Sequence, residues 1–257
     1  MPIKALDSAL TVLRCFDVLC PEWGVTELSI HTGLDKSHVS KILREFAHSK
    51  FLIRDPDTRR YRVGPTAMTV GAGYLAGSIL VRNGTQHLRQ LALRTGLTAT
   101  LNVVDGDAIL YLIAFEGVRA VKGNWPVGAQ LPYHATAAGK IFSAFSPTPS
   151  VRKLLKRRRL PMITSASIRD PRQFAKEVAE IKRSGYAQTY GESTPGIGAV
   201  AVPVLGSDLR LVAAISVLFP LGLDIGSREP GLLKSLHRTA AQFSKQMGAE
   251  RYSIYHA

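Results

Sequence analysis

The sequence predicts an α+β chain of two domains: a small N-terminal unit of three helices and a β-hairpin, then a larger α+β domain. Three observations carry this. At 257 residues the chain exceeds the usual size of one hydrophobic core. Three segments with helical apolar spacing occupy the first fifty residues, and two strand-like segments around a turn-rich loop follow them directly. From about residue 79 strand and helix patterns alternate, which suits an α+β domain.

The first helix follows from Ala5, Ala9, Leu10, Leu13, Phe16 and Val18–Leu19, closed by Pro21 and Gly24. Thr26 reads as the hydroxyl N-cap of a short second helix, which Gly33 ends by taking a positive φ. Asp35 is a good N-cap for a third helix from about Lys36 to Lys50, and Gly33-Leu34-Asp35 makes the short turn of a helix-turn-helix. Val39, Ile42, Leu43 and Phe46 form the apolar stripe of that third helix. Lys36, Ser37, His38, Ser40, Lys41 and Arg44 lie around the other side with no carboxylate among them, and Glu45 falls at the edge. Such a face suits phosphates and base edges in the major groove of double-stranded DNA. Phe51–Arg54 and Arg60–Val63 read as strands joined by residues 55–59, so the unit over residues 5–63 is a winged helix-turn-helix. On the wing, Arg59, Arg60 and Arg62 could reach the phosphate backbone or the minor groove, and solvated hairpin charge is the alternative.

Charge alone does not establish a nucleic-acid partner. The chain carries 33 Lys and Arg against 19 Asp and Glu, yet residues 1–65 hold ten against eight, so most of the excess lies beyond the proposed DNA module. Part of it is the run Lys153, Lys156, Arg157, Arg158 and Arg159, which reads as a solvated helix face, with a phosphate-binding patch as the alternative. Two cysteines, Cys15 and Cys20, sit five apart on the predicted first helix. That spacing matches no disulfide framework or zinc site, and both are expected to be buried. The His residues are scattered, so neither a metal nor a cofactor is expected. No leader opens the chain and every apolar run is too short for a membrane span, which predicts a cytoplasmic protein.

Residues 66–78 are rich in small side chains. They read either as a helix that another backbone can approach or as a loosely ordered linker, since each Gly costs a helix about 1 kcal/mol relative to Ala. Beyond them the pattern predicts a helix over 80–93 and strands over 98–104 and 108–115 around Asp105-Gly106-Asp107. Helices over 136–145 and 171–183, strands over 197–205 and 209–219, and a terminal helix over 227–247 follow.

No enzyme is predicted. Ala138-Gly139-Lys140 lacks the remainder of a phosphate loop, since residue 134 is His and residue 141 is Ile. A nucleophile elbow and a dinucleotide fingerprint are also missing. His134 and Glu192 could pair as acid and base, but a structural role is favoured.

Several motifs resemble IclR-type regulators. In the first domain they are Ala5-Leu6-Asp7-Ser8-Ala9-Leu10, Glu27-Leu28, Thr32 to Ser37, Ile42-Leu43 and Tyr61-Arg62-Val63-Gly64. In the second they are Leu131 to Lys140, Arg183-Ser184-Gly185-Tyr186, Glu192 and Ala199 to Pro203. The chain differs at Thr189, where the family often has Asp or Ser, at Leu205, where an aromatic is usual, and at Ala199, where Cys is frequent.

The resemblance implies a winged helix-turn-helix DNA-binding domain over 1–65 and a dimerising linker helix over 66–78. It also implies a GAF-like α/β effector-binding domain over 79–257, with helices on both sides of a sheet. By position its effector site comprises Ala137, Ala138, Thr189, Ala199, Ser216 and Leu218. Backbone N–H groups opening the helix at 137–139 could hold a carboxylate. The reduced polarity at 189, 199 and 218 points to an aromatic or otherwise hydrophobic organic acid, with Trp125, Tyr133 and Phe142 as possible lining residues. The expected mechanism is a homodimer, or a dimer of dimers, on a palindromic operator, with the acid altering the spacing of the paired winged helices.

Overall fold

In the computed structural model, residues 3–120, 127–223 and 230–254 are described. The chain divides into two compact units, one ending at Ser78 and the other beginning at Ile79.

In the first unit, helices α1 (Lys4–Leu13), α2 (Val25–Thr32) and α3 (Lys36–His48) pack over a three-stranded sheet of β1 (Glu22–Trp23), β2 (Leu52–Arg54) and β3 (Tyr61–Val63), in the order β1-β3-β2. Val12, Leu28, Val39, Ile42, Leu43, Leu52 and Tyr61 form its core, so these three helices and the hairpin contribute to one apolar centre. α1 is shorter than its periodicity predicts. The Asp17 carboxylate accepts from the N–H groups of Leu19 and Cys20 at 2.7 and 2.6 Å, and such local bonding competes with helix. Trp23 also ties the chain back by donating from Nε1 to the Cys15 carbonyl at 2.7 Å. The expectation of two buried helical cysteines is corrected accordingly: Cys15 is half-buried and Cys20 exposed. The N-cap of α2 is Gly24 rather than Thr26, and the Glu27 side chain accepts from the Gly24 N–H. α4 (Pro65–Gly77) follows β3, and none of its residues is buried.

The second unit is built on a six-stranded antiparallel sheet of β4 (Thr98–Asp105), β5 (Ala108–Phe115), β6 (Gln130–Leu131), β7 (Ala187–Tyr190), β8 (Ile197–Leu205) and β9 (Leu211–Pro220). The order is β6-β5-β4-β9-β8-β7, so the first and last hairpins meet along β4 and β9. Because side chains alternate across a strand, each face has its own core. Leu101, Val103, Val200, Val202, Ile215 and Val217 pack on one side against α5 (Ile79–Thr95) and α9 (Pro230–Gln246), through Leu88, Leu91, Leu236 and Phe243. The opposite face is lined by smaller residues, Ala187, Ala199, Ala201 and Ala214, and packs against α6 (Ala137–Phe145). α7 (Pro149–Leu155) and α8 (Pro171–Ser184) complete that layer. The residue patterns had not suggested β6 or β7, which are two and four residues long; the helix read from the basic run is α7, which ends at Leu155, before Lys156–Arg159. Among the described residues, no helix is long and apolar enough to cross a membrane.

Candidate nucleic-acid interface and ligand site

The helix-turn-helix is set by backbone chemistry at residues 33–38. Gly33 takes φ of 72° and ends α2, a conformation that costs an L side chain roughly 1–2 kcal/mol. Asp35 then caps α3, its carboxylate accepting from the N–H groups of Ser37 and His38 at 2.8 and 3.3 Å. Those bonds hold the Asp35 carboxyl below its usual range, the bonds from Ser37 contributing most. With Val39, Ile42 and Leu43 buried, the other side of α3 turns outward. Lys36, Ser37, Lys41 and Arg44 are exposed, and His38 and Ser40 half-buried.

The wing is ordered by Asp55, whose Oδ1 accepts from the N–H groups of Asp57 and Thr58 and from the Thr58 hydroxyl. Arg59 and Arg62 are exposed on it. Arg60 is engaged differently. Its guanidinium donates to both oxygens of Glu27 at 2.8 Å and to the Glu22 carbonyl at 3.1 Å, tying the wing to the start of α2.

In the second unit the residues of interest meet on the α6 face of the sheet. Thr98, Leu218, Ala199 and Thr189 are paired neighbours in one row across β4, β9, β8 and β7. Thr100, Ser216, Ala201 and Ala187 form the next row. Ala137 and Ala138, in the first turn of α6, belong to the same apolar cluster as Ala199 and Leu218. The six residues singled out from sequence are thus brought to one face, with Phe142 and Tyr133 in the same cluster; Trp125 lies outside the described residues.

Sequence reasoning missed Thr98, Thr100 and Asn102 on β4, which reads as an apolar strand with polar residues on alternate positions. Asn102 donates from Nδ2 to the Ser216 hydroxyl at 3.0 Å, the Thr100 hydroxyl at 3.1 Å and the Ala214 carbonyl at 3.2 Å. Its Oδ1 and the Thr98 hydroxyl are buried with no hydrogen-bond partner, an unusual condition for buried polar atoms.

The start of α6 is fixed from three sides. Thr136 Oγ1 accepts from the Gly139 N–H at 3.1 Å and donates to the Pro132 carbonyl at 2.9 Å. Gly139 passes so close to Tyr133 that a Cβ would fall 2.3 Å from its carbonyl oxygen. Lys140 is fully buried, its Nζ 2.7 Å from Glu177 on α8 and 2.8 Å from Glu192 after β7. The Gly-Lys pair is therefore structural: glycine permits a close approach, and two carboxylates neutralise the lysine. Burial pushes the Glu192 carboxyl up despite the opposing pull of Lys140. Thr164 and Ser167 hold the same turn, donating to the carbonyls of Gly191 and Glu192 at 2.7 and 2.8 Å. His134 does not pair with Glu192; its Nε2 meets the Pro161 carbonyl.

Comparison with known proteins bears on both units. Residues 5–56 match the model of the IclR helix-turn-helix domain, and residues 72–245 match that of the bacterial transcriptional regulator IclR C-terminal domain. The HTH-type transcriptional regulator BhcR of Paracoccus denitrificans is 32% identical over 220 residues, 85% of this chain and 78% of that protein. The structure of an IclR transcriptional regulator from Alicyclobacillus acidocaldarius superimposes with a TM-score of 0.82 at 28% identity, covering 96% of this chain and all of that one. The fold is also that of an IclR homolog from Microbacterium hydrocarbonoxydans complexed with 4-hydroxybenzoate, at a TM-score of 0.75 and 23% identity over 95% of this chain and 98% of that one.

Proposed function

Since the chain belongs to the IclR family of transcriptional regulators, we propose that two copies carry paired winged helices to operator DNA and that a small organic acid changes how well they bind. Membership of the family makes it a DNA-binding regulator with a C-terminal ligand-binding domain; the operator geometry, the acid and the coupling are the proposed part.

The observation that carries the proposal is the outward face of α3, with Lys36, Ser37, Lys41 and Arg44 exposed and no acid among them. Side chains there reach base edges in the major groove when the apolar side of the helix is held against the domain. Arg59 and Arg62 would meet backbone phosphates, whereas Arg60, held by Glu27, sets the angle of the wing. Met68, Val70 and Tyr74 of α4 are 78, 61 and 55% exposed. A second copy would cover that apolar surface and, by its two-fold symmetry, ask for a roughly palindromic site.

The acid is assigned to the α6 face of the sheet. Its carboxylate would meet the first-turn N–H groups of Ala137 and Ala138, which as helix N-terminal donors lack intrahelical acceptors. Thr189, Ala199, Ser216 and Leu218 would line it, a surface more apolar than a short keto acid requires. The unpartnered Asn102 Oδ1 and Thr98 hydroxyl favour a hydroxylated aromatic acid, since a ligand hydroxyl could donate to them. That this fold can house such a molecule is supported by the homolog solved with 4-hydroxybenzoate. Coupling requires the acid to discriminate between conformations of different DNA affinity.

The test is thermal shift of the full chain across a panel of organic acids. Hydroxylated aromatic carboxylates should raise the melting temperature and change the affinity for operator DNA. A response confined to glyoxylate or pyruvate would refute the ligand assignment.

A further inference from the structure

The basic run Lys153 to Arg159 has no part in the function proposed above. In the structure α7 ends inside it, at Leu155. Lys153 and Arg157 line a cleft of about 220 Å³ together with His134, Tyr133, Ser150 and Pro161. Asp107 also lines the cleft, and its carboxylate accepts from the Ser150 hydroxyl. None of Ala137, Ala138, Thr189, Ala199, Ser216 or Leu218 lines it, so this is not the site assigned to the organic acid.

His134 is 1% exposed and its imidazole is only half satisfied. Nε2 lies 2.8 Å from the Pro161 carbonyl oxygen, which can only accept, so Nε2 carries the proton. Nδ1 is then a buried lone pair that no donor meets. Protonating it is opposed by burial and by the positive charges of Lys140 on α6 and Arg157 beyond α7, against the favourable bond to Pro161. Nδ1 therefore calls for a donor, while Lys153 and Arg157, which line the same cleft, call for an anion.

We propose that this cleft binds a monoprotonated phosphoryl group, either inorganic phosphate or a small phosphomonoester. Its anionic oxygens engage Lys153 and Arg157, and its P–OH donates to His134 Nδ1. The need for a donor is selective. A carboxylate or sulfate has no proton to give near neutral pH, and neither has a phosphodiester, so none of them satisfies Nδ1. A phosphomonoester, with a second pKa of about 6, keeps or regains its proton at small cost.

The test is calorimetric titration of the full-length protein near neutral pH with inorganic phosphate, glycerol phosphate, sulfate and dimethyl phosphate, with the His134 ring nitrogens followed by NMR. Phosphate, glycerol phosphate or both should bind and move the Nδ1 resonance, with sulfate and dimethyl phosphate at least about tenfold weaker. Tighter binding of inorganic phosphate than of glycerol phosphate identifies the free ion as the ligand, and the reverse order a phosphorylated metabolite. K153A/R157A should abolish binding. H134Q retains a donor for Pro161 but carries its acceptor, the amide oxygen, away from the position of Nδ1, and should reduce phosphate to the affinity of sulfate. Equal affinities for phosphate and sulfate in the unsubstituted protein, an unchanged preference in H134Q, or no binding of phosphate and glycerol phosphate would overturn the proposal.

Discussion

Replacing Lys140 with methionine keeps a long apolar stem and removes the charge that anchors the start of α6. The Lys140 Nζ is shared between Glu177, whose side chain is 38% exposed, and Glu192, at 10%. In K140M Glu177 can turn to water, so its loss counts for little, but Glu192 is left buried without its cation. Breaking a buried pair from one side costs about 3–5 kcal/mol. The low end applies with one deeply buried partner, and about 3 kcal/mol corresponds to a fall in Tm of roughly 6–12 °C for a unit of this size. The pH dependence has a definite sign. The Glu192 carboxyl is already held above its usual range by burial, and losing Lys140 raises it further. The folded protein then binds this proton more readily than the unfolded chain. The penalty is therefore absent below the unfolded carboxylate pKa of about 4.3 and grows as pH rises toward the folded value. Urea unfolding at about pH 4, 6 and 8 should show a small loss at the acid end and the full loss at the alkaline end. K140M/E192Q, which also removes the buried charge, should recover most of it. A loss independent of pH, or no recovery in the double variant, would refute this reading of the cluster.

Other perturbations separate structural from ligand-contacting roles. G139A places a Cβ 2.3 Å from the Tyr133 carbonyl oxygen; it should cost about 1–3 kcal/mol in chemical denaturation and weaken acid binding by displacing the first turn of α6. If Arg60 positions the wing, E27A and R60A should weaken operator binding to similar extents, as fluorescence anisotropy would show. R62A should instead lower the slope of log affinity against log salt by about two for the paired copies, one phosphate contact being lost from each, without altering Tm. His237 is buried and its imidazole is pushed down to about 4 by burial. As pH falls below about 6.5 the unfolded chain takes up a proton that the folded protein refuses, so stability drops by about 3 kcal/mol by pH 4. H237N keeps a donor toward the Tyr252 hydroxyl, which His237 Nδ1 meets at 3.2 Å, and should flatten that part of the stability profile.

What could be read from the sequence divides along physical lines. β5 spans Ala108–Phe115 and α6 begins after Thr136, as their patterns indicate, because long elements with one apolar face leave a strong periodic signal. Asp35 and Gly33 were legible for the same local reason: cap and left-handed stop are properties of single residues. α1 was overestimated because Phe16, Val18 and Leu19 continue its spacing, while Asp17 captures the backbone in a turn that spacing does not reveal. β7, at four residues, is too short to show a period. Long-range pairing was hidden altogether. Nothing near Lys140 in the chain points to Glu177 or Glu192, although a lysine inside the otherwise apolar and small-residue stretch of α6 was a usable sign of a buried ion pair. The polar ladder of Thr98, Thr100 and Asn102 was visible as alternation on β4, but the neighbour that gives it meaning, Ser216, lies more than a hundred residues away.

The most direct test of the DNA-binding surface is a gel shift with the intergenic DNA upstream of the gene, using S40A/K41A/R44A. These side chains lie on the outward side of α3, opposite the buried Val39, Ile42 and Leu43, so the variant should unfold at the same temperature and keep its response to acids. The predicted result is loss of the specific complex while weak, salt-sensitive binding remains. A variant that still forms the specific complex with unaltered affinity would contradict the assignment of α3 as the reading helix.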